Sequence, residues 1–415
     1  MTFEILEEKE YQSFLDKHPL KSFVQTTAMG NVKKNDGCNI HYVGVKEKKK
    51  ILCATMMFST RGKLGKDFFY APRGYLIDFD NIKLLKFFTE NIKIYIKQNN
   101  GYLLKIEPKI LHRERDIDGN IVKSGFDNTK IYKNLIKQGY IHNGFSKEID
   151  LNKQVRWAFI LPLEKKTEKQ IFEEMRSNTK NHLRKAEKYN IYTRELKYEE
   201  LNIFKKIVES SGQRKNFDSR SLKYYQNMYK EFKKIDSIKY IVAELNISDY
   251  IKNLKNEILL ERQKLKELPN TPSKRGLIKE AEKNLDSLNK RLEQAKEIKQ
   301  KENKDIISLA ASMFMTYGNE IVYLFSGSKS EYLSFGGQYL IQWDMIKFGL
   351  KNKYKIYNFY GISGNFAEED NRYGVFTFKQ GFGGNVIEYL GDFDLVISKP
   401  IYLAYKVINK IKKTK

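Results

Sequence analysis

Apolar residues recur along this chain with two different periods, and the places where the period changes mark its elements. The clearest run lies at 248–304, where Ile251, Leu254, Ile258, Leu265 and Leu268 are followed, after the break PNTPSKRG, by Ile278, Ala281, Leu285, Leu288, Leu292 and Ala295. Steps of three and four alternate, except at Glu261, where an apolar residue is due. Such a seam predicts two helices zipped antiparallel as a coiled-coil hairpin. A helix of about twenty residues is ~30 Å long, so the hairpin is expected to project as an arm. The flanks, IKYIVAEL (238–245) and DIISLAASMFMTY (305–317), read as strands, which makes the arm an insertion between two strands of one domain.

The remainder alternates between strand and helix periods. IHYVGVKEKKKILCATMMFSTRG (40–62) reads as a hairpin, LKFFTENIKIYIKQNN (85–100) as an amphipathic helix and GYLLKIEP (101–108) as a buried strand. Further on, 167–190 and 339–352 read as helices, YKIYNFYGISG (354–364) as a strand entering a glycine turn, and RYGVFTFKQGFGG (372–384) as an aromatic, β-rich run. The order hairpin, helix, strand occurs before residue 150 and again after it. An α/β (α+β) protein of two similar domains is therefore expected. Their spans are 1–150 and 151–247 plus 304–395, with the arm at 248–303 and a basic helix at 396–415.

Composition narrows the chemistry. At 415 residues the chain exceeds one ordinary core, and 41% hydrophobic residues suffice to build two. The 76 basic against 51 acidic side chains leave a formal charge of +25. That field suits a polyanion such as RNA, a nucleotide diphosphate or an anionic membrane face, although a Lys-, Asn- and Ile-rich composition gives the same excess without any partner. Cys38 and Cys53 lack disulfide-scaffold or metal-site spacing, consistent with a reducing cytoplasm. The start MTFEILEEKEYQSF is charged and no apolar run approaches ~18 residues, so neither a signal peptide nor a membrane span is expected. The five histidines show no H-E-x-x-H spacing, and no phosphate loop of the G-x-x-x-x-G-K-[ST] type occurs. No metal site is expected. QGFGGN, from Gln380, ends in Asn385 where the pyrophosphate loop of an acyl-CoA enzyme needs glycine or alanine.

Seven stretches stand in an order that resembles the FemABX aminoacyltransferases: FVQTTAMGNVKKNDG, FFYAPRGYLIDF, LLKIEP, EEMRSNTKNHLRKAEKYNI, QRKNFDSRSLKYYQNMY, YNFYGISGNF and YGVFTFKQGFGG. The resemblance covers nearly the whole chain, with Met29 where members more often carry tryptophan. It implies two domains of the GNAT acyltransferase type with a coiled-coil arm. It further implies transfer of glycine, serine or alanine from aminoacyl-tRNA to the stem-peptide amine of a peptidoglycan precursor, either lipid II or UDP-MurNAc-pentapeptide. The donor ester is already activated, so no cofactor is expected. The competing readings are an acyl-CoA-dependent N-acyltransferase and a non-catalytic RNA-binding protein.

The resemblance also assigns residues, each beside a plainer reading. Lys379 matches the lysine that contacts the RNA end and stabilises developing charge, with Phe378 able to stack on a terminal base. The glycines after it would let backbone approach a bulky ligand. By itself the pattern is equally a strand-end lysine beside a β-turn. Arg220 and Tyr224, four apart and on one face of a helix beginning near Ser219, match the pair that grips the diphosphate, and Lys33 (or its neighbour Lys34) a third phosphate ligand. Glu107 ends a buried strand where the family carries aspartate; desolvated, it would accept the amine's proton, and otherwise it is a structural carboxylate. Tyr323 lines the precursor pocket or is a core tyrosine, and Arg73 is read as a turn-stabilising cation. The C-terminal run KPIYLAYKVINKIKKTK places Ile401, Tyr405, Ile408 and Ile411 on one face, with Lys406, Lys410, Lys412, Lys413 and Lys415 around and beyond it. This stripe lies at an anionic leaflet or, on the plainer reading, docks on the body and leaves only the lysines for lipid; a cytoplasmic protein with weak, salt-sensitive attraction to the inner membrane face is the expectation.

Overall fold

The computed structural model describes residues 1–62, 64–150, 152–215, 217–269 and 271–413. In chain order its strands are β1 (Thr2–Ile5), β2 (Asn39–Glu47), β3 (Lys50–Arg61), β4 (Asp67–Arg73), β5 (Gly101–Pro108), β6 (Leu111–Glu114), β7 (Tyr140–His142), β8 (Trp157–Pro162), β9 (Tyr192–Glu195), β10 (Ile238–Asn246), β11 (Ile306–Tyr317), β12 (Glu320–Ser328), β13 (Ile356–Gly361), β14 (Asn385–Tyr389) and β15 (Phe393–Val396). The helices are α1 (Glu8–Lys17), α2 (Thr27–Asn35), α3 (Ile82–Gln98), α4 (Thr129–Lys137), α5 (Glu168–Glu174), α6 (Ser177–Lys188), α7 (Leu201–Lys215), α8 (Leu222–Lys233), α9 (Ile247–Glu267), α10 (Arg275–Glu302), α11 (Gly337–Lys351), α12 (Tyr373–Gln380) and α13 (Lys399–Lys413).

The strands form a seven-stranded sheet, β1-β2-β3-β4-β5-β15-β7, and an eight-stranded sheet, β6-β14-β8-β13-β12-β11-β10-β9. Each contains one parallel pair, β4 with β5 and β12 with β13. The α/β class expected from the alternation is thus the one found. Two short strands cross between the halves. β6 pairs with β14 in the second sheet, and β15 inserts between β5 and β7 in the first. Lys105 on β5 fixes that insertion, its ammonium reaching Asp392 and Asp394 at 2.7 Å each. Buried carboxylates persist because they are paired.

Periodicity explains the layers. In α3 the Asn81 side chain accepts the Leu84 N–H, satisfying an orphan donor of the first turn. Leu85, Phe88, Ile92 and Ile96, spaced by three and four, then bury one helix face against the first sheet. A core shared by both halves joins Tyr11, Val24 and Met29 to Phe204, Tyr225, Phe232 and Tyr240. Met29 is buried within it.

The inserted segment forms two long helices, α9 and α10, leaving the body between β10 and β11. Their inner seam joins Leu254 and Ile258 to Leu288, Leu292 and Ala295 and is continuous with the core of the second half. Tyr250 packs on Tyr189 and Phe335 at the base. Farther out, Glu261 accepts a hydrogen bond from Asn284 Nδ2 at 3.4 Å, so a polar contact fills the gap in the apolar spacing.

Two local expectations are corrected. The helix expected over 167–190 is two, because Met175 and Arg176 are extended (ψ 146° and 148°). This frees the Arg176 N–H to donate to Gly381 O at 2.9 Å. The run around 373–380 is helix, not strand: Phe376, Lys379 and Gln380 are buried, a spacing of three and four rather than two. The apolar face of α13 through Ile401 and Tyr405 is docked on the body, where Tyr402 is buried with Tyr102 and Leu103. The side chains of Lys410, Ile411, Lys412 and Lys413, and all of Lys415, lie outside the described residues.

Candidate active site

Lys379 sits in the last turn of α12 and is 5% exposed. Its Nζ donates to Gly361 O at 2.7 Å and to Tyr360 O at 3.3 Å, and lies 5.9 Å from the centre of the Tyr323 ring. Both carbonyls are available because β13 is irregular. Its register with β8 shifts between Asn358 and Tyr360, Tyr360 adopts φ +63°, and the Asn358 side chain accepts the Tyr360 N–H at 2.8 Å. A tyrosine in the left-handed region is the kind of local strain that collects at working sites.

The glycines after Lys379 serve a different close approach from the one expected. A Cβ on Gly381 would stand 2.2 Å from Thr179 Oγ1 on α6, and one on Gly384, at φ +109°, would stand 2.1 Å from Ile160 O. They let α12 end against the Thr179 side chain and the Ile160 backbone. Gln380 reinforces the anchor by donating to Asp118 Oδ1 at 2.7 Å and Ile117 O at 3.2 Å, in a loop from the first half of the chain.

Tyr323 is buried and polar at its tip. It donates to Ser326 Oγ at 2.5 Å and receives Gln338 Nε2 at 3.0 Å, while burial pushes its phenol up to about 12. Phe378 points into an aromatic group, with ring centres 4.9 Å from Tyr339 and 5.6 Å from Phe382. Tyr339 in turn stacks on His182 at 4.2 Å.

Across the bulge lies Glu107, 3% exposed at the end of β5. Its oxygens accept the Tyr70 hydroxyl and the Gln154 N–H, the latter at 3.0 and 3.1 Å. Burial pushes its carboxyl up to about 7 against the opposing pull of Tyr70, Arg73 and the Gln154 amide. Tyr360 Oη reaches the Gln154 side chain at 3.2 Å. A polar seam thus lies between Lys379, at the Tyr360 carbonyl, and Glu107 with Tyr70, bridged by the Tyr360 hydroxyl on the Gln154 side chain and the Gln154 N–H on Glu107. A void of ≈ 10 Å³ beside it, with Arg73, Gln154 and Tyr360 in its wall, has room for about one water. Arg73 is buried, with its guanidinium donating to Val155 O at 2.7 Å and lying 3.7 Å over the Tyr389 ring.

The phosphate-ligand candidates gather farther along the same wall. Lys33, half-buried on α2, lies 5.6 Å over Phe58, whose ring meets Tyr70 at 5.3 Å, whereas Lys34 is exposed. α2 packs on α8, where Asn31 Nδ2 donates to Glu231 at 3.3 Å. Tyr224 is half-buried in the first turn of α8; burial raises its phenol, Arg220 lowers it and Asp36, at the end of α2, raises it. Arg220 and Tyr224 do not share a helix face as expected. Ser221 caps α8 by accepting the Tyr224 N–H, leaving Arg220 outside the helix, exposed, with its guanidinium 5.8 Å from the Tyr224 ring.

Sequence reasoning missed Tyr70, Gln154, Tyr360 and Gln338. Tyr70 and Tyr360 lie inside quoted motifs, FFYAPRG and YNFYGISG, but neither Gln154 nor Gln338 carries a local signal. Among the described residues no group of three or more His, Cys, Asp or Glu side chains is arranged to hold a metal. No helix among them is long and apolar enough to cross a membrane.

A family model, FemAB family, matches residues 6–410. Aminoacyltransferase FemA of Staphylococcus epidermidis (strain RP62A) is 32% identical over 425 residues, covering 100% of both chains. Aminoacyltransferase FemA of Staphylococcus aureus (strain N315) is 31% identical over 420 residues, covering 99% of both. Among solved structures, a crystal structure of FemX superposes with a TM-score of 0.77 at 21% identity, over 97% of this chain and 99% of that one, and so shares the fold. With the family model spanning almost every residue and relatives above 30% identity end to end, the chain belongs to the FemAB family and is an aminoacyltransferase.

Proposed function

We propose that this aminoacyltransferase takes glycine, serine or alanine from aminoacyl-tRNA and joins it to the stem-peptide amine of a peptidoglycan precursor, building the interpeptide bridge. The acceptor is lipid II or the soluble UDP-MurNAc-pentapeptide. The amine attacks the ester carbonyl, loses a proton, and the tetrahedral intermediate collapses with the terminal ribose hydroxyl leaving. Holding the partners together and stabilising the oxyanion supply most of the rate.

The observation that carries this reading is the placement of Lys379. A buried cation is pinned by carbonyls of a strained strand end, at one end of a polar seam whose wall continues to Lys33, Tyr224 and Arg220. In this reading Lys379 meets the developing oxyanion and the RNA end, and Phe378 supports the terminal base. Lys33, Arg220 and Tyr224 hold the diphosphate, Tyr323 lines the precursor pocket, and Glu107 takes the amine's proton. The division into two acyltransferase-type domains, with the helical hairpin as a tRNA-holding arm, belongs to the same proposal.

The acyl-CoA alternative loses support from the glycine run. It follows the C-terminus of α12, the negative end of that helix's dipole, whereas a pyrophosphate is held at an N-terminus. Incubating the protein with purified precursor and mixed charged tRNAs, and weighing the product by mass spectrometry, tests the reading. A precursor heavier by one aminoacyl residue, dependent on the tRNA, is expected. No mass gain from any charged tRNA would overturn it.

A further inference from the structure

α13 combines a docked face with an outward apolar face that nothing in the transfer chemistry uses. Tyr402 anchors it, buried against Tyr102 and Leu103, with its hydroxyl donating to Asp394 Oδ2 at 3.1 Å. On the opposite side Leu403 and Val407, one turn apart, are 61% and 59% exposed. Lys406 lies between them in sequence and is exposed, its ammonium 4.6 Å over the ring of Tyr402, and the helix holds five lysines and no acidic residue.

A second protrusion flanks the same anchor. The tip between β3 and β4 carries exposed Leu64 beside exposed Arg61 and Lys66, the arginine being ion-paired to Asp67 at 3.3 Å. Lys66 Nζ donates to Asn100 at 2.7 Å, and a Cβ on Gly62 would stand 3.5 Å from the Tyr102 ring. The Tyr102 ring also meets Tyr405 of α13 at 5.6 Å. Hairpin tip and helix therefore border one tyrosine, each offering exposed aliphatic side chains beside cations.

We propose that this face docks on an anionic lipid surface, with Leu403, Val407 and Leu64 entering the headgroup boundary and the neighbouring cations meeting lipid phosphate. Charge selects the occupant. A second copy in a two-fold contact would set the lysines of α13 against their own copies, whereas an anionic leaflet complements them. The proposal rests on the transferase reading only in that a lipid-linked acceptor gives docking its use.

The test sediments the full chain with vesicles of phosphatidylglycerol and, separately, of phosphatidylcholine. Binding to the first alone, weakened by salt, and reduced about tenfold or more in the double variant Leu403→Ser, Val407→Ser, is expected. Tryptophan emission of Leu403→Trp should shift to the blue on phosphatidylglycerol vesicles. Undiminished binding by the double variant, or no shift from the tryptophan, overturns the proposal. So does a concentration-dependent dimer that the double variant dissolves, which would assign the face to a second copy. Transfer from charged tRNA to the soluble nucleotide-linked precursor and to lipid II carried in the vesicles is measured on the same samples. Docking without transfer supports the proposal and strikes the transferase reading; transfer without docking does the reverse.

Discussion

Lys379 carries two burdens at one position. Its ammonium satisfies the Tyr360 and Gly361 carbonyls and holds positive charge at the head of the polar seam. Lys379→Met is therefore expected to cut turnover ~10²-fold or more and also to lower stability by ~1–3 kcal/mol, because buried carbonyls lose a donor. Single-turnover transfer below the variant's melting temperature separates the two, and near-normal activity there would remove Lys379 from the mechanism. Lys33→Ala and Arg220→Ala should raise KM for the precursor much more than for the aminoacyl-tRNA, since they are assigned to phosphate rather than to the reacting amine. Equal weakening of both substrates would assign them to RNA. Glu107 gives a pH prediction. With its carboxyl raised from 4.5 to about 7 by burial, the folded protein keeps a proton that the unfolded chain releases between those values. Its contribution, up to ~3 kcal/mol, is fully present below about pH 4.5 and lost as the pH rises through about 7. Melting temperatures of Glu107→Gln should fall less across that window than those of the unchanged chain; parallel curves would contradict the raised value. Residue types and motif order brought Lys379, Glu107 and Lys33 forward as candidates. Gln154 was not, because a glutamine in a linker acquires meaning only when its amide meets Glu107 across the fold.

Among the elements, the arm was the most legible and α12 the least. Eleven apolar positions at steps of three and four leave a helical hairpin little competition, whereas the short run YGVFTFKQ satisfies either period until its buried side chains are known. The arm's base is part of the body's core, so where it is cut matters. Replacing residues 260 to 284 with a short glycine linker keeps Leu254, Ile258, Leu288 and Leu292 in place. The melting temperature should hold while affinity for intact tRNA falls. Removing 250 to 302 instead strips those side chains and uncovers Tyr189 and Phe335. Each lost aliphatic burial is worth ~1.5–3 kcal/mol, so that variant should melt earlier. Thermal melts and filter binding check both, and unchanged tRNA affinity in the shorter deletion would separate the arm from RNA binding.

For the whole molecule, the exchange of β6 and β15 ties the halves into one folding problem. Residues 1–150 lack β15, the strand between β5 and β7, and with it the carboxylates that neutralise Lys105. Expressed alone, they should give no cooperative melt. A chain in which a linker adds residues 390 to 397 should recover one. A sharp transition for 1–150 alone would show that the first sheet closes without its crossing strand.

Period, residue type and motif order are local properties, and these the amino-acid sequence determined by itself: the pair of long helices between β10 and β11, the β2–β3 hairpin and the α/β class. Neighbourhood was decided only in the tertiary structure. β15 is four residues long, and four residues hold no record of which sheet will accept their hydrogen bonds. Lys379 likewise holds no record of the bulge that turns the Tyr360 and Gly361 carbonyls toward it, since that bulge depends on how β13 meets β8, about two hundred residues earlier in the chain. Long-range hydrogen bonding and burial, which form only when distant segments pack, set those relations.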